Sequence, residues 1–189
     1  MRCAFVIYPK MTCLDFTGFY DTLTRLKSMH FMEDFCWQIC AQTPWVADDR
    51  GLCFKADSIN QGFETYDMLF VPGGQGMRDL RYDPSFLAWL KTAGPVPLKI
   101  SVCTGSVLLA AAGFLTGLKA TTHPNAYQEL AKYGVDVVEE RIVDAGAVIT
   151  GRGVSSSIDL GLYVVERLAD KEVREKIARQ MDYPYYPFH

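Results

Sequence analysis

Six cysteines, three histidines and scattered carboxylates are the side chains of this 189-residue chain that could carry covalent or proton-transfer chemistry. Cys103 is set apart by its surroundings, Lys99-Ile100-Ser101-Val102-Cys103-Thr104-Gly105-Ser106. An apolar strand runs directly into it, and Gly105 permits close packing where the chain turns into a helix. The pattern is that of a nucleophile elbow, with Ser101 in place of the usual first glycine. Such a turn aims its side chain out of the carboxyl end of a sheet, where open α/β folds bind ligands. A helix N-terminus at the sulfur is expected to favour thiolate and lower the pKa. The Thr104 N–H is then free to face a developing anion. The competing reading is a buried cysteine at an ordinary turn, and the strand–helix pattern favours the nucleophile.

The other five cysteines read as structural and reduced. None forms a Cys-x-x-Cys pattern. Cys36 and Cys40 share the expected strand 35–41, where four residues span about 13 Å, too far to bridge. Cys3 and Cys53 lie in short apolar runs, where a thiol behaves as a small hydrophobe.

A proton-handling partner for Cys103 must come from elsewhere in the chain. His30, at the end of the first helix, and His189, the last residue, read as solvated. His123, in Thr121-Thr122-His123-Pro124, follows a later strand. It could reach the sulfur as a base or cap the helix beginning near Asn125, and the two readings stand level. Asp15, in Leu14-Asp15-Phe16-Thr17-Gly18, is the stronger candidate. It could cap the first helix; buried beside a thiol, it would keep a raised pKa and shuttle a proton.

Gly73-Gly74-Gln75-Gly76 follows another strand end but fails the dinucleotide pattern, because Asp79 stands where the last glycine belongs. The loop suits an oxyanion donor, with Gly74 the first choice and Gln75 beside it. A simple turn is the alternative.

These residues need a scaffold, and the chain reads as strands alternating with helices, the pattern of a mostly parallel sheet covered on both faces. Strands are expected at 3–8, 35–41, 68–71, 98–102 and 118–122, with helices at 16–29, 84–93, 105–115 and 125–133. A hairpin is expected within 45–57, and another across Asp144-Ala145-Gly146 between 137–143 and 147–150. Ser156-x-x-Asp159 reads as a capping box opening a helix to Leu168, and a last helix covers 171–181. The aromatic tail, 183–188, could pack across a dimer interface or over its own domain. One domain spanning 1–189 is the simplest account.

Composition narrows the partners. A net charge of −3 without a Lys/Arg run argues against nucleic acid. The apolar stretch after Arg2 is too short for a signal sequence or membrane span, so a cytoplasmic protein acting on a small molecule is expected.

The motif Ser-Val-Cys-Thr-Gly-Ser, followed by Leu-Leu-Ala-Ala-Ala-Gly-Phe-Leu-x-Gly-x-x-Ala-Thr-Thr-His, resembles the ThiJ/PfpI superfamily, relatives of class I glutamine amidotransferases. Within it the chain is similar to the isocyanide hydratase branch, and the likeness extends over nearly the whole chain. The resemblance implies a flavodoxin-like fold, a homodimer and no metal or organic cofactor. It also implies Cys103 as nucleophile, Asp15 as general acid/base and Thr104 as a hydrogen-bonding neighbour. The product would be an N-substituted formamide. Two positions depart from that branch: Pro124 replaces a tryptophan and Arg152 a glycine. Both look like the glyoxalase and deglycase branch, in which His123 and Arg152 would serve the site, although that branch pairs its cysteine with glutamate. Thr104, where peptidase-like members have histidine, argues against proteolysis. A redox sensor oxidised at Cys103 is the reading from a different class. A regulator's ligand-binding domain is less favoured, since 189 residues leave no room for an added helix-turn-helix.

Overall fold

The structure is a computed structural model and describes residues 1–185. His189 and the tail beyond Tyr185 lie outside the described residues.

The chain runs β1 (Arg2–Val6), α1 (Cys13–Ser28), β2 (Cys36–Ala41), β3 (Trp45–Ala47), β4 (Cys53–Lys55), β5 (Ser58–Ile59) and β6 (Met68–Val71). It continues through α2 (Met77–Leu80), α3 (Pro84–Lys91), β7 (Leu98–Val102), α4 (Gly105–Ala111), β8 (Lys119–Ala120) and α5 (Tyr127–Ala131). The last elements are β9 (Asp136–Val137), β10 (Ile142–Asp144), β11 (Val148–Gly151), α6 (Ser156–Leu168) and α7 (Lys171–Gln180). Seven strands form one sheet in the order β10-β11-β7-β6-β1-β2-β5. Only β10 runs antiparallel to its neighbour. This is the expected α/β architecture.

β6 and β7 are buried along their whole length, as strands covered on both faces must be. Phe5 of β1 and Phe70 of β6 pack edge-on to each other, and Phe19 of α1 stacks on Phe70 at 4.0 Å between ring centres. Phe16 lies edge-on to Phe5 one turn earlier. This aromatic layer clamps the first turns of α1 to the sheet, and Asp15 is in the first of them. α3 begins as its sequence dictates: Asp83 accepts the Ser85 and Phe86 N–H groups, and Pro84 fills the first position.

Several expectations change. α1 starts at Cys13 rather than at residue 16, because its first turn carries the exposed Leu14 and so breaks the apolar spacing. Residues 118–122 do not join the main sheet: only Lys119–Ala120 is strand, paired in parallel with β9. The helix expected at 105–115 ends at Ala111. The capping box at Ser156 does not form. Asp159 is buried and turned instead to Arg141 and to the Tyr183 hydroxyl, which donates to it at 2.8 Å. Cys53 is exposed rather than buried, on the β3–β4 hairpin that was expected within 45–57. Among the described residues no helix is long and apolar enough to cross a membrane.

Candidate active site

The chain leaves β1 to build one half of the sheet (β2, β5) and returns through β6 to build the other (β7, β11). The carboxyl ends of β1 and β6 therefore flank the reversal of strand order, the place where open α/β sheets bind ligands. Three connections meet there: the β1–α1 segment with Asp15, the Gly73–Gly76 loop after β6, and the β7–α4 turn with Cys103.

Cys103 has a φ of 55°, a conformation that costs a non-glycine residue roughly 1–3 kcal/mol. Neighbouring elements hold it there. Its N–H donates to the Gly151 carbonyl (3.0 Å). Its carbonyl accepts from the Thr122 hydroxyl (2.9 Å) and the Ser106 hydroxyl (3.2 Å). Three separate bonds thus hold the strained backbone of residue 103 in place.

Two glycines let the backbones come this close. A Cβ on Gly105 would stand 2.3 Å from the Val71 carbonyl oxygen, so α4 begins directly against the end of β6. A Cβ on Gly73 would meet the Thr104 nitrogen at 2.5 Å, and Asp15 Oδ2 and the Cys103 Cβ both at 2.8 Å. Gly73 thus sits between the Asp15 carboxyl and the Cys103 side chain. Gly73→Ala is expected to cost about 1–3 kcal/mol of stability through overpacking and to force the carboxyl and thiol apart. Urea unfolding and activity measured on the same preparation test this; unchanged values for both would show that the loop yields freely.

Asp15 is completely buried. It does not cap α1: Oδ2 accepts the Gly73 N–H at 2.9 Å. Oδ1 is buried with no hydrogen-bond partner among the described residues, and the Cys103 thiol interacts with the carboxyl. Burial raises the Asp15 pKa from 3.8 to about 7, against the opposing pull of the Gly73 N–H and the thiol. The Cys103 thiol is also pushed up, well above its ordinary value, first by burial and then by the negative charge of Asp15. The expected thiolate-favouring shift is therefore reversed at rest. A seven-residue helix and the Thr104 donors favour thiolate, but desolvation and a facing carboxylate outweigh them. Above about pH 7 the pair shares one proton, because burial and mutual repulsion oppose a second negative charge.

The remaining expected residues take different places. Thr104 faces the sulfur with both its N–H and its hydroxyl. The Gly74 N–H, first choice as oxyanion donor, donates to Thr104 Oγ1 at 3.0 Å, and the Thr104 N–H is the backbone donor that interacts with the sulfur. A cavity of about 230 Å³ opens above Cys103 and is lined in part by Gly74, Gln75, Thr104 and His123. His123 lines it and also caps, since its Nδ1 accepts the Asn125 N–H at 3.2 Å. Pro124 opens the 3₁₀ turn that this cap begins. Arg152 is absent from the lining. Its guanidinium stands over the Tyr127 ring at 5.9 Å, with Nε buried and without a hydrogen-bond partner among the described residues. Among the described residues no cluster of three His, Cys, Asp or Glu side chains could hold a metal.

Four further contributors stand beyond those expected from sequence. Gly73 holds Asp15; the Tyr8 hydroxyl donates to the Pro72 carbonyl at 2.7 Å and braces the loop from behind. Burial and the charges of Asp15 and Cys103 keep that phenol protonated. Thr122 was visible inside the Thr-Thr-His motif but its role was not. Arg78, on α2, carried no sequence signal at all, yet lines the cavity.

Comparison with known proteins shows the family of the chain. The isonitrile hydratase of Pseudomonas putida is 31% identical over 190 residues, covering all of this chain and 81% of its own. A deglycase of Pyrococcus horikoshii is 31% identical over 111 residues, 57% of this chain and 61% of its own. The crystal structure of a ThiJ/PfpI family protein from Pseudomonas syringae superimposes with a TM-score of 0.89 at 30% identity, over all of this chain and 77% of that one. The DJ-1/PfpI family itself matches residues 1–167, which include every residue of the site, and the chain belongs to that family.

Proposed function

We propose that the protein adds water to small isonitriles, R–N≡C, to give N-substituted formamides. The observation that carries this reading is the buried Asp15 carboxyl beside Cys103, with its pKa raised to about 7. A carboxylate so placed takes the thiol proton as the sulfur attacks the terminal isonitrile carbon. The same proton then passes from Asp15 to that carbon, giving the thioimidate R–N=CH–S–Cys103. Water adds to the carbon, the C–S bond breaks with its electron pair on sulfur, and R–NH–CHO leaves. Asp15 carries the protons in both halves. The Thr104 N–H supports the sulfur as charge develops there.

A second reading, a glyoxalase or deglycase using Cys103 and His123, draws on Pro124 and on the likeness to the deglycase. His123 at the cavity wall favours it; the Nδ1 cap leaves only Nε2 for chemistry. A sensor oxidised by peroxide has less support, because a resting thiol reacts far more slowly than a thiolate.

Assays with cyclohexyl isocyanide and with methylglyoxal, on the native protein and on Cys103→Ala, separate the two enzymes. Cys103-dependent consumption of the isonitrile alone is expected. Consumption of methylglyoxal alone would favour the second reading, and turnover of neither would overturn both. The homodimer belongs to the same proposal, and light scattering at about twice the 21.2 kDa chain mass is expected.

A further inference from the structure

The cavity above Cys103 is polar for a site that would receive a simple hydrocarbon isonitrile. Arg78, Glu129, Gln75, Asn125 and His123 all line it. Its charges do not cancel. Glu129 is already neutralised by Arg81, whose guanidinium lies 2.7 Å away and is largely buried. Arg78 has no side-chain hydrogen bond or ion pair among the described residues. One positive charge is therefore left at the cavity wall, flanked by the neutral donors of Gln75 and Asn125.

We propose that this cavity selects substrates whose R group carries a carboxylate, and that Arg78 receives it. The inference deepens the hydratase reading and rests on Cys103 acting on a small molecule in this cavity. Gln75, Arg78 and Asn125 are exposed, and a neutral apolar R group returns no hydrogen bond for the water it displaces from them. A carboxylate replaces that water with charge-assisted bonds, for which the planar guanidinium fork is suited. Size agrees: 230 Å³ holds about eight water-sized groups, enough for an isonitrile with a short carboxylated arm. Glu129 does not oppose such an anion while Arg81 holds it.

The test compares isocyanoacetate with its methyl ester as substrates for the native protein, Arg78→Met and Arg78→Lys. The native protein is expected to favour the acid by roughly tenfold in kcat/KM, with the difference in KM. Arg78→Met should bring the ratio close to one, and Arg78→Lys should keep part of it. Calorimetric binding of N-formylglycine and its methyl ester reads the same preference without turnover. If neither isonitrile is consumed but N-formylglycine outbinds its ester only when Arg78 is present, the hydratase reading falls and the carboxylate site stands. Equal or absent binding of acid and ester by the native protein, or a preference that survives Arg78→Met, overturns the proposal.

Discussion

Replacing Asp15 with asparagine is expected to lower turnover by about 10²–10⁴-fold while making the folded protein more stable above neutral pH. The rate loss follows from removing a positioned proton carrier. The stability gain follows from linkage. Asp15 titrates near 3.8 when unfolded and near 7 when folded. Between those values the native protein holds a proton that the unfolded chain has released, so its stability falls as pH rises. The contribution is fully present below pH 3.8 and is lost as pH passes 7, up to about 4 kcal/mol in all. Asparagine keeps an oxygen for the Gly73 N–H without a buried charge. Urea unfolding at pH 5 and pH 8 should show the pH-dependent loss in the native protein and a smaller one in Asp15→Asn. Equal pH dependence in both would mean that the carboxyl is solvated and unshifted. The kinetics carry the same signature, with kcat/KM of the native enzyme rising with pH through about 7 as Asp15 becomes able to accept the thiol proton.

Cys103→Ala is expected to abolish turnover, and Cys103→Ser to do no better. A serine hydroxyl is a far weaker acid and a poorer nucleophile than a thiol, so Asp15 draws off its proton less readily. Both variants should keep the native fold, since the three bonds that hold residue 103 run through its backbone. The thiol itself offers a sharper measurement. Burial and Asp15 keep it protonated at neutral pH, so iodoacetamide should label it slowly at pH 7 and faster as pH rises. Asp15→Asn removes the facing negative charge, so labelling at pH 8 should accelerate in the variant whose turnover has dropped. Rates of labelling and turnover that fell together would indicate that Asp15 activates the sulfur in the resting enzyme, and the shared-proton account would fail.

The strand–turn–helix setting of Cys103 and the nearness of Asp15, the proposed partner, were legible in the sequence. Each depends on local signals: the apolar run 98–102 ends at a turn that needs Gly105, and Asp15 follows the first strand by a short loop. Alternating strands and helices likewise implied a parallel sheet, and a parallel sheet places every such loop at one edge. Short segments with mixed patterns were not legible. Lys119–Ala120 pairs with β9 outside the main sheet, and Asp159 gave up its capping role to a part-buried contact with Arg141. Local propensity was overridden there by partners distant in the chain.

The charge state of the site was decided by tertiary structure alone. The sequence places a cysteine at a helix start, which by itself lowers a thiol pKa. Only the fold buries that cysteine and sets Asp15 against it across Gly73, and the two effects reverse the sign. Packing also drew the Gly74 N–H to Thr104, moved Arg152 onto Tyr127 and brought Arg78 to the cavity. Residue types in order determined that this chain carries a cysteine at a strand-to-helix turn and an aspartate just after the first strand, the two residues proposed here as nucleophile and proton carrier. Whether that cysteine rests as thiol or thiolate, and what shares its cavity, depends on desolvation and through-space distance, which no local spacing encodes.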